Sequence, residues 1–233
     1  MDLSNLLLAA PVLLFSMVAH EYAHGYAALK QGDPTAYQLG RLTWNPLKHI
    51  DPFLTILMPV MLYWASNGAF IFGGAKPVPV VPRNYRNYKR GDIIVSLAGV
   101  ATNMMLFPLC ALLIVVLGLL GRQLPPTVDT LFLLQMMMVQ GIIFNLVLAI
   151  FNLLPIPPLD GSHVMKYLLP PAWALRYQQV GRYGIVILLV LFWTRAGSEL
   201  FQKWMAPVMW LAEAAMRAVM PYFLKSPYGL GVG

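Results

Sequence analysis

Hydrophobic positions in this chain fall into long, nearly unbroken runs separated by short polar or proline-rich connections, a pattern that predicts helices crossing a membrane. The runs cover residues 4–29, 53–72, 93–120, 131–154, 181–194 and 204–224. The first is about long enough to span and closes at Lys30-Gln31-Gly32-Asp33-Pro34. It lacks a short apolar core followed by a small-residue cleavage site, so it reads as a retained helix and not a signal peptide. The second is broken by Pro59 and by Ser66-Asn67-Gly68, and periodicity leaves open a full crossing or a segment that dips in and returns. Run 93–120 carries Ser96, Gly99, Thr102 and Asn103 at helical spacing, small and polar residues that permit close helix packing. Run 131–154 carries Gln140, Asn145 and Asn152, and run 181–194 is short. The last run holds Glu213 and Arg217 four apart, either an intrahelical ion pair on an interfacial helix or a polar stripe facing a bundle. The expected fold is a polytopic α-helical membrane protein of about five to six transmembrane helices, with a small β or extended element and a re-entrant segment. It forms a single membrane-embedded domain over residues 1–233, with its core at 4–165 and C-terminal helices at 180–225.

Three connections carry information. Residues 35–50 alternate polar and apolar side chains of β-favouring type around Gly40, which predicts short extended segments ending in an Asn45-Pro46 turn. In Gly73-Gly74-Ala75-Lys76-Pro77-Val78-Pro79-Val80-Val81-Pro82 the prolines force extended backbone and exclude a central strand. Such an edge could hold another peptide in extended form. The basic residues that follow, Arg83, Arg86, Lys89 and Arg90, suit a lipid headgroup anchor. In Asn152-Leu153-Leu154-Pro155-Ile156-Pro157-Pro158-Leu159-Asp160-Gly161 prolines stop a helix at membrane depth. Irregular backbone is tolerated there only where protein or a water cavity surrounds it.

Composition narrows the class. Hydrophobic residues make up 59% and charged residues 11%, where a soluble domain has roughly a quarter charged. A net charge of +7 would suggest nucleic acid in a soluble protein. Here the basic residues lie between apolar runs, so the plainer reading is topology plus anionic lipid, and no nucleic-acid partner is expected. The lone Cys110 excludes an internal disulfide and a cysteine-based zinc site, leaving His and carboxylates as metal ligands.

One stretch supplies such ligands. His20-Glu21-Tyr22-Ala23-His24 lies inside the first apolar run. Two His four residues apart share one helix face, so their nitrogens can converge on a single zinc ion. Glu21 can reach a water on that ion and act as general base. A shuffled chain with four His and three Glu would show the pattern with odds of about one in a thousand. Asp160, a carboxylate near the membrane boundary, is the candidate third ligand; on its own it would read as a turn or N-cap residue before Gly161. His163 and His49 are expected to be solvated loop histidines.

If His20, His24 and Asp160 share one ion, the C-terminal ends of the first and fourth apolar runs lie on the same side. That requires run 53–72 to be re-entrant. The eight Lys and Arg from Lys30 through Arg90 then join Lys166, Arg176, Arg182 and Lys225 on one face, against Arg122, Arg195 and Lys203 on the other. The bias places the first group, and the His pair, toward the cytoplasm. A full crossing would weaken it to nine against six.

His20-Glu21-x-x-His24 together with Asn152-x-x-Pro155-x-Pro157-x-Leu159-Asp160-Gly161 resembles the site-2 protease family of intramembrane zinc metalloproteases. Gly74-Ala75-Lys76-Pro77-Val78 and Gly99-x-x-x-Asn103 are similar to the short bacterial and archaeal members, and no PDZ or CBS insertion has room here. The resemblance implies regulated proteolysis of a membrane-spanning peptide in a prokaryotic cell membrane. It implies one Zn2+ held by His20, His24 and Asp160, with Glu21 as base. Because a helical substrate must unwind to expose a carbonyl, the segment with Ala75, Lys76, Pro77 and Val78 is the expected strand partner, and Asn103 joins the candidate substrate-binding residues. Asn152 either contacts the substrate backbone or oxyanion, or serves helix packing. The competing classes are a membrane metal transporter and a metal-dependent hydrolase of some non-peptide substrate. A transporter would be expected to spread ionisable groups through the bilayer depth, and here they gather at one site.

Overall fold

A computed structural model of the chain describes residues 3–65 and 73–225. Among the described residues the helices are α1 (Leu3–Gln31), α2 (Thr35–Gln38), α3 (Met58–Ala65), α4 (Tyr88–Gln123), α5 (Val128–Asn152), α6 (Asp160–Met165), α7 (Pro171–Val180), α8 (Gly184–Trp193) and α9 (Arg195–Val219). They separate into two compact units, residues 1–16 with 103–233 and residues 17–102, whose boundaries fall inside α1 and α4.

Among the described residues, two helical stretches are both long and apolar enough to cross a bilayer, Tyr88–Gln123 and Pro125–Asn152. With 36 residues α4 is about 54 Å long, well beyond the roughly 30 Å hydrocarbon core. By the same measure α8, at ten residues, reaches only about 15 Å. Run 53–72 begins as a π-helical turn, Pro52–Leu57, capped by the Asp51 carboxylate, and continues as α3. The remainder of that expected re-entrant segment, residues 66–72, lies outside the described residues.

In the unit formed by residues 1–16 and 103–233, α9 packs against α5 and α8. The core joins Cys110 and Ile114 of α4, Ile142 and Leu146 of α5, and Val208 and Val219 of α9. Gly141 permits the approach of α5 to α4, since a Cβ there would lie 2.6 Å from the Cys110 sulfur. Polar groups buried in this apolar setting are paired, as the low dielectric demands. Gln135 donates to Ile114 O and Tyr222 O, both at 2.9 Å. Asn145 donates to Ser16 Oγ at 3.0 Å and accepts from Asn103 Nδ2 at 2.7 Å. The last apolar segment starts earlier than run 204–224, at Arg195, because Thr194 caps the helix by accepting from Gly197 N. Glu213 and Arg217 form the intrahelical ion pair.

In the unit of residues 17–102, Ala28, Tyr85 and Val95 form the core with Ala27 and Val80 against them. No strand occurs among the described residues. The extended segments expected at 35–50 are corrected at their start: Thr35–Gln38 is a turn of helix. Asp33 bends the chain into it by accepting from Thr35 N and Thr35 Oγ1, a local bond that outweighs β-propensity. His49 also departs from expectation. It is fully buried, with Nε2 donating to Thr43 O at 2.9 Å, so it is a structural histidine and not a solvated one. His163 sits half-buried on α6, not in a loop.

Candidate metal centre and catalytic base

The second half of α1 carries the His pair. Their rings lie 4.6 Å apart at 77°, and the two Nε2 atoms are 3.0 Å apart. Two nitrogens bound tetrahedrally to one zinc ion are separated by about 3.3 Å, given metal–nitrogen bonds near 2.05 Å, so the pair is already close to chelating geometry. His24 Nδ1 lies 2.7 Å from Val95 O. A carbonyl only accepts, so Nδ1 carries the proton and Nε2 presents its lone pair. This outer bond is the kind that orients a metal-ligating histidine.

One turn beyond Val95 on α4, Gly99 forms the floor under both rings. A Cβ on Gly99 would sit 2.5 Å from each Nε2. The sequence marks Gly99 as a packing residue; what it packs is the His20–His24 pair. The donor pair, the fixed tautomer of His24 and the space left by Gly99 all fit a zinc ion.

Glu21 is half-buried, and its Oε2 accepts from Val78 N at 2.7 Å. Val78 is held from a second direction because Gly25 lacks a Cβ: one there would approach Val78 Cγ1 to 2.9 Å. The segment around Val78 is extended backbone, tied along one edge by alternate amides. Gly74 N donates to Leu54 O at 3.0 Å, Lys76 N to His49 O at 2.8 Å, and Val78 N to Glu21. At the other edge Pro77 and Pro79 have no N–H to give. Arg41 Nη2 donates to Lys76 O and Pro77 O at 3.0 and 3.3 Å. Lys76 and Pro77 are exposed, while Ala75 is half-buried.

Asp33, just past the end of α1, is buried completely. Its Oδ2 accepts from Val81 N at 2.6 Å and its Oδ1 from Asn84 Nδ2 at 2.8 Å, besides the two bonds from Thr35. Burial works to raise its pKa, but the four hydrogen bonds outweigh that and hold the carboxyl below its ordinary range. Nearby Tyr85 is pushed well above its usual value by burial, with the Asp92 and Asp33 charges adding to it.

The other sequence-marked residues belong to the unit of residues 1–16 and 103–233. Asp160 is the half-buried first residue of α6. It follows a proline loop with a cis Pro157–Pro158 bond, and Gly161 lets the chain turn tightly, since a Cβ there would strike Leu153 O at 2.2 Å. Asn152 donates to Leu148 O at 2.9 Å, one turn back on α5. Asn103 is fully buried and donates to Asn145. Sequence reasoning missed Val95, Gly25 and Asp33. A backbone carbonyl leaves no trace in residue identity, and Gly32-Asp33-Pro34 reads simply as a helix stop.

The profile of peptidase family M50 matches residues 126–192. A Bacillus subtilis protein named as a zinc metalloprotease, YwhC, is 40% identical over 80% of this chain and 80% of its own length. The zinc metalloproteases named Rip2 are also similar. The one from Mycolicibacterium smegmatis is 31% identical over 81% of this chain and 67% of its length, and the one from Mycobacterium tuberculosis H37Rv is 30% identical over 77% and 64%. No solved structure matches the chain.

Proposed function

The chain belongs to peptidase family M50 and is a zinc metalloprotease of the site-2 type, and from that premise we propose that it cuts membrane-spanning peptides within or beside the bilayer, in regulated proteolysis. The observation that carries the reading is the pairing of His24 Nδ1 with Val95 O while two Nε2 atoms face each other at 3.0 Å beside Glu21. His20, His24 and Asp160 are the ligands of one zinc ion, and the 233 residues act as one protease domain in a prokaryotic cell membrane. Two imidazoles leave a tetrahedral ion short of ligands, and catalytic zinc sites take a third protein group while keeping one position open.

Zinc, when bound, supplies Lewis acidity to the attacking water and to the scissile carbonyl. Glu21 takes the proton from that water through its carboxylate and delivers it to the leaving amine. The Val78 amide fixes the rotation of the Glu21 carboxylate, and the charge-assisted bond keeps its bonded oxygen in place as the other exchanges the proton. Gly99 and Val95 keep both imidazoles aimed at one point. The substrate unwinds and lies along Ala75–Val78, where backbone pairing replaces the hydrogen bonds of its lost helix. Lipid surrounds the apolar helices, and the cytoplasmic side of the site follows from the Lys and Arg bias. Asn152 is the candidate contact to the substrate backbone, whereas Asn103, fully buried and bonded to Asn145, serves helix packing.

The test is cleavage of single-span peptides in liposomes, with zinc content measured on the same samples. Wild type is expected to cut and to lose cutting on chelation, and Asp160→Asn to lose zinc. Zinc flux across the liposome without peptide cleavage would favour a transporter instead.

A further inference from the structure

We propose that Asp33 is a positioning residue of the protease, setting through Val81 the place at which the Val78 amide meets Glu21; the proposal rests on Glu21 being the base. The segment between these two anchors is short and stiff. Val78 N is bound to Glu21 and Val81 N to Asp33, with only Pro79 and Val80 between them and Pro82 after. Pro79 has a fixed φ, and the residue before each proline is confined to extended backbone. A shift at Val81 is therefore not absorbed locally and reaches Val78.

Asp33 is suited to act as the fixed end. It is fully buried, and its two oxygens take four donors: Val81 N, Asn84 Nδ2, Thr35 N and Thr35 Oγ1. Only an ionised carboxylate satisfies such a set, because an amide in its place turns one acceptor into a donor facing other donors. The chain behind it is also fixed. Gly32 takes φ +110°, where a side chain is strained, and Arg86 N donates to Gln31 O at 2.8 Å. The end of α1, the 81–84 turn and the start of the next segment thus close around one carboxylate. Asp33 touches neither the ligands nor the place proposed for substrate, so its influence on turnover runs through the backbone from Val81 to Val78.

A double-mutant cycle on the full-length protein in liposomes separates this from a merely structural role. Asp33→Asn is expected to lower kcat about tenfold, with KM within about twofold and zinc content unchanged. In a Val78→Pro background, where the Val78 hydrogen bond is already absent, the same change is expected to cost less than about twofold. Losses that multiply would overturn the proposal. A readout independent of turnover is amide exchange at Val78 in valine-labelled protein, which should quicken at least about tenfold in Asp33→Asn or, should that variant not fold, in Asn84→Ala. Unchanged Val78 exchange overturns the proposal even if cleavage falls. Failure of wild type to cleave any peptide would instead overturn the protease reading and leave the exchange result to decide on Asp33.

Discussion

The ring of His24 and the backbone carbonyl of Val95, 71 residues apart in the chain, meet at 2.7 Å. The contact decides which nitrogen of His24 is available: the carbonyl takes the Nδ1 proton and Nε2 is left bare. It ties the helix bearing His20-Glu21-x-x-His24 to the turn of α4 that ends at Gly99, so with the proposed ligands metal affinity is expected to depend on residues outside the ligand set.

Gly99→Ala tests that dependence. The added methyl would stand 2.5 Å from both Nε2 atoms, closer than real contacts allow. One or both rings must move. Zinc affinity is expected to fall at least about tenfold, although Ala is the better helix former by roughly 1 kcal/mol, so the secondary structure seen by circular dichroism should persist. Competition against a fluorescent chelator measures the loss.

Val78→Pro removes the N–H that Glu21 accepts and exchanges the isopropyl group for a ring, in a segment already extended between two prolines. A hydrogen bond to a charged group contributes roughly 1.5–3 kcal/mol, which sets the expected fall in kcat at about ten- to a hundredfold. Zinc content should stay at the wild-type level. A variant with wild-type kcat would show that the Val78 amide does not hold the base.

Gly25→Val places a branched side chain where a single Cβ already approaches Val78 Cγ1 to 2.9 Å. The segment is expected to lift from α1, lowering kcat at least about tenfold and quickening Val78 amide exchange, while the His pair keeps its zinc. Exchange and zinc content on the same preparation check both halves.

Acid should release the Asp33 anchor. Its carboxyl is held below the ordinary value of 3.8, so the folded anchor binds protons less readily than the unfolded chain. Its contribution is complete above the ordinary value and is lost as pH falls through the lowered one. Protection of the Val81 amide, followed from pH 6 down to about pH 2, should drop in that window, and Asp33→Asn should flatten the drop.

Much of the candidate site is legible in the sequence because it is written in side-chain chemistry. His20, Glu21 and His24 announce themselves by type and spacing, and the prolines at 77 and 79 announce extended backbone, whereas Pro82 opens a helical turn over Pro82–Asn84. The features that position them were not legible. Val95 acts through its carbonyl, and Gly99 and Gly25 act through an atom they lack, so each reads as ordinary helix packing. Thr35–Gln38 looked extended because its alternation matched a strand, and the buried Asp33 that bends it into a helix acts through contacts no pattern encodes. His49 was misread for a related reason: burial of a loop residue depends on what folds over it. Helix α7 was not anticipated because its apolar Trp173 and Leu175 stay exposed and leave no one-sided stripe.

The most direct measurement of the central claim is the rate at which zinc-loaded Glu21→Gln cuts a single-span peptide in liposomes, compared with wild type at equal zinc per chain. The account predicts that turnover falls by about a hundredfold or more while zinc stays bound, since the carboxylate that moves the proton is gone and the imidazole ligands are intact. Cleavage at the wild-type rate by the zinc-loaded variant would contradict it.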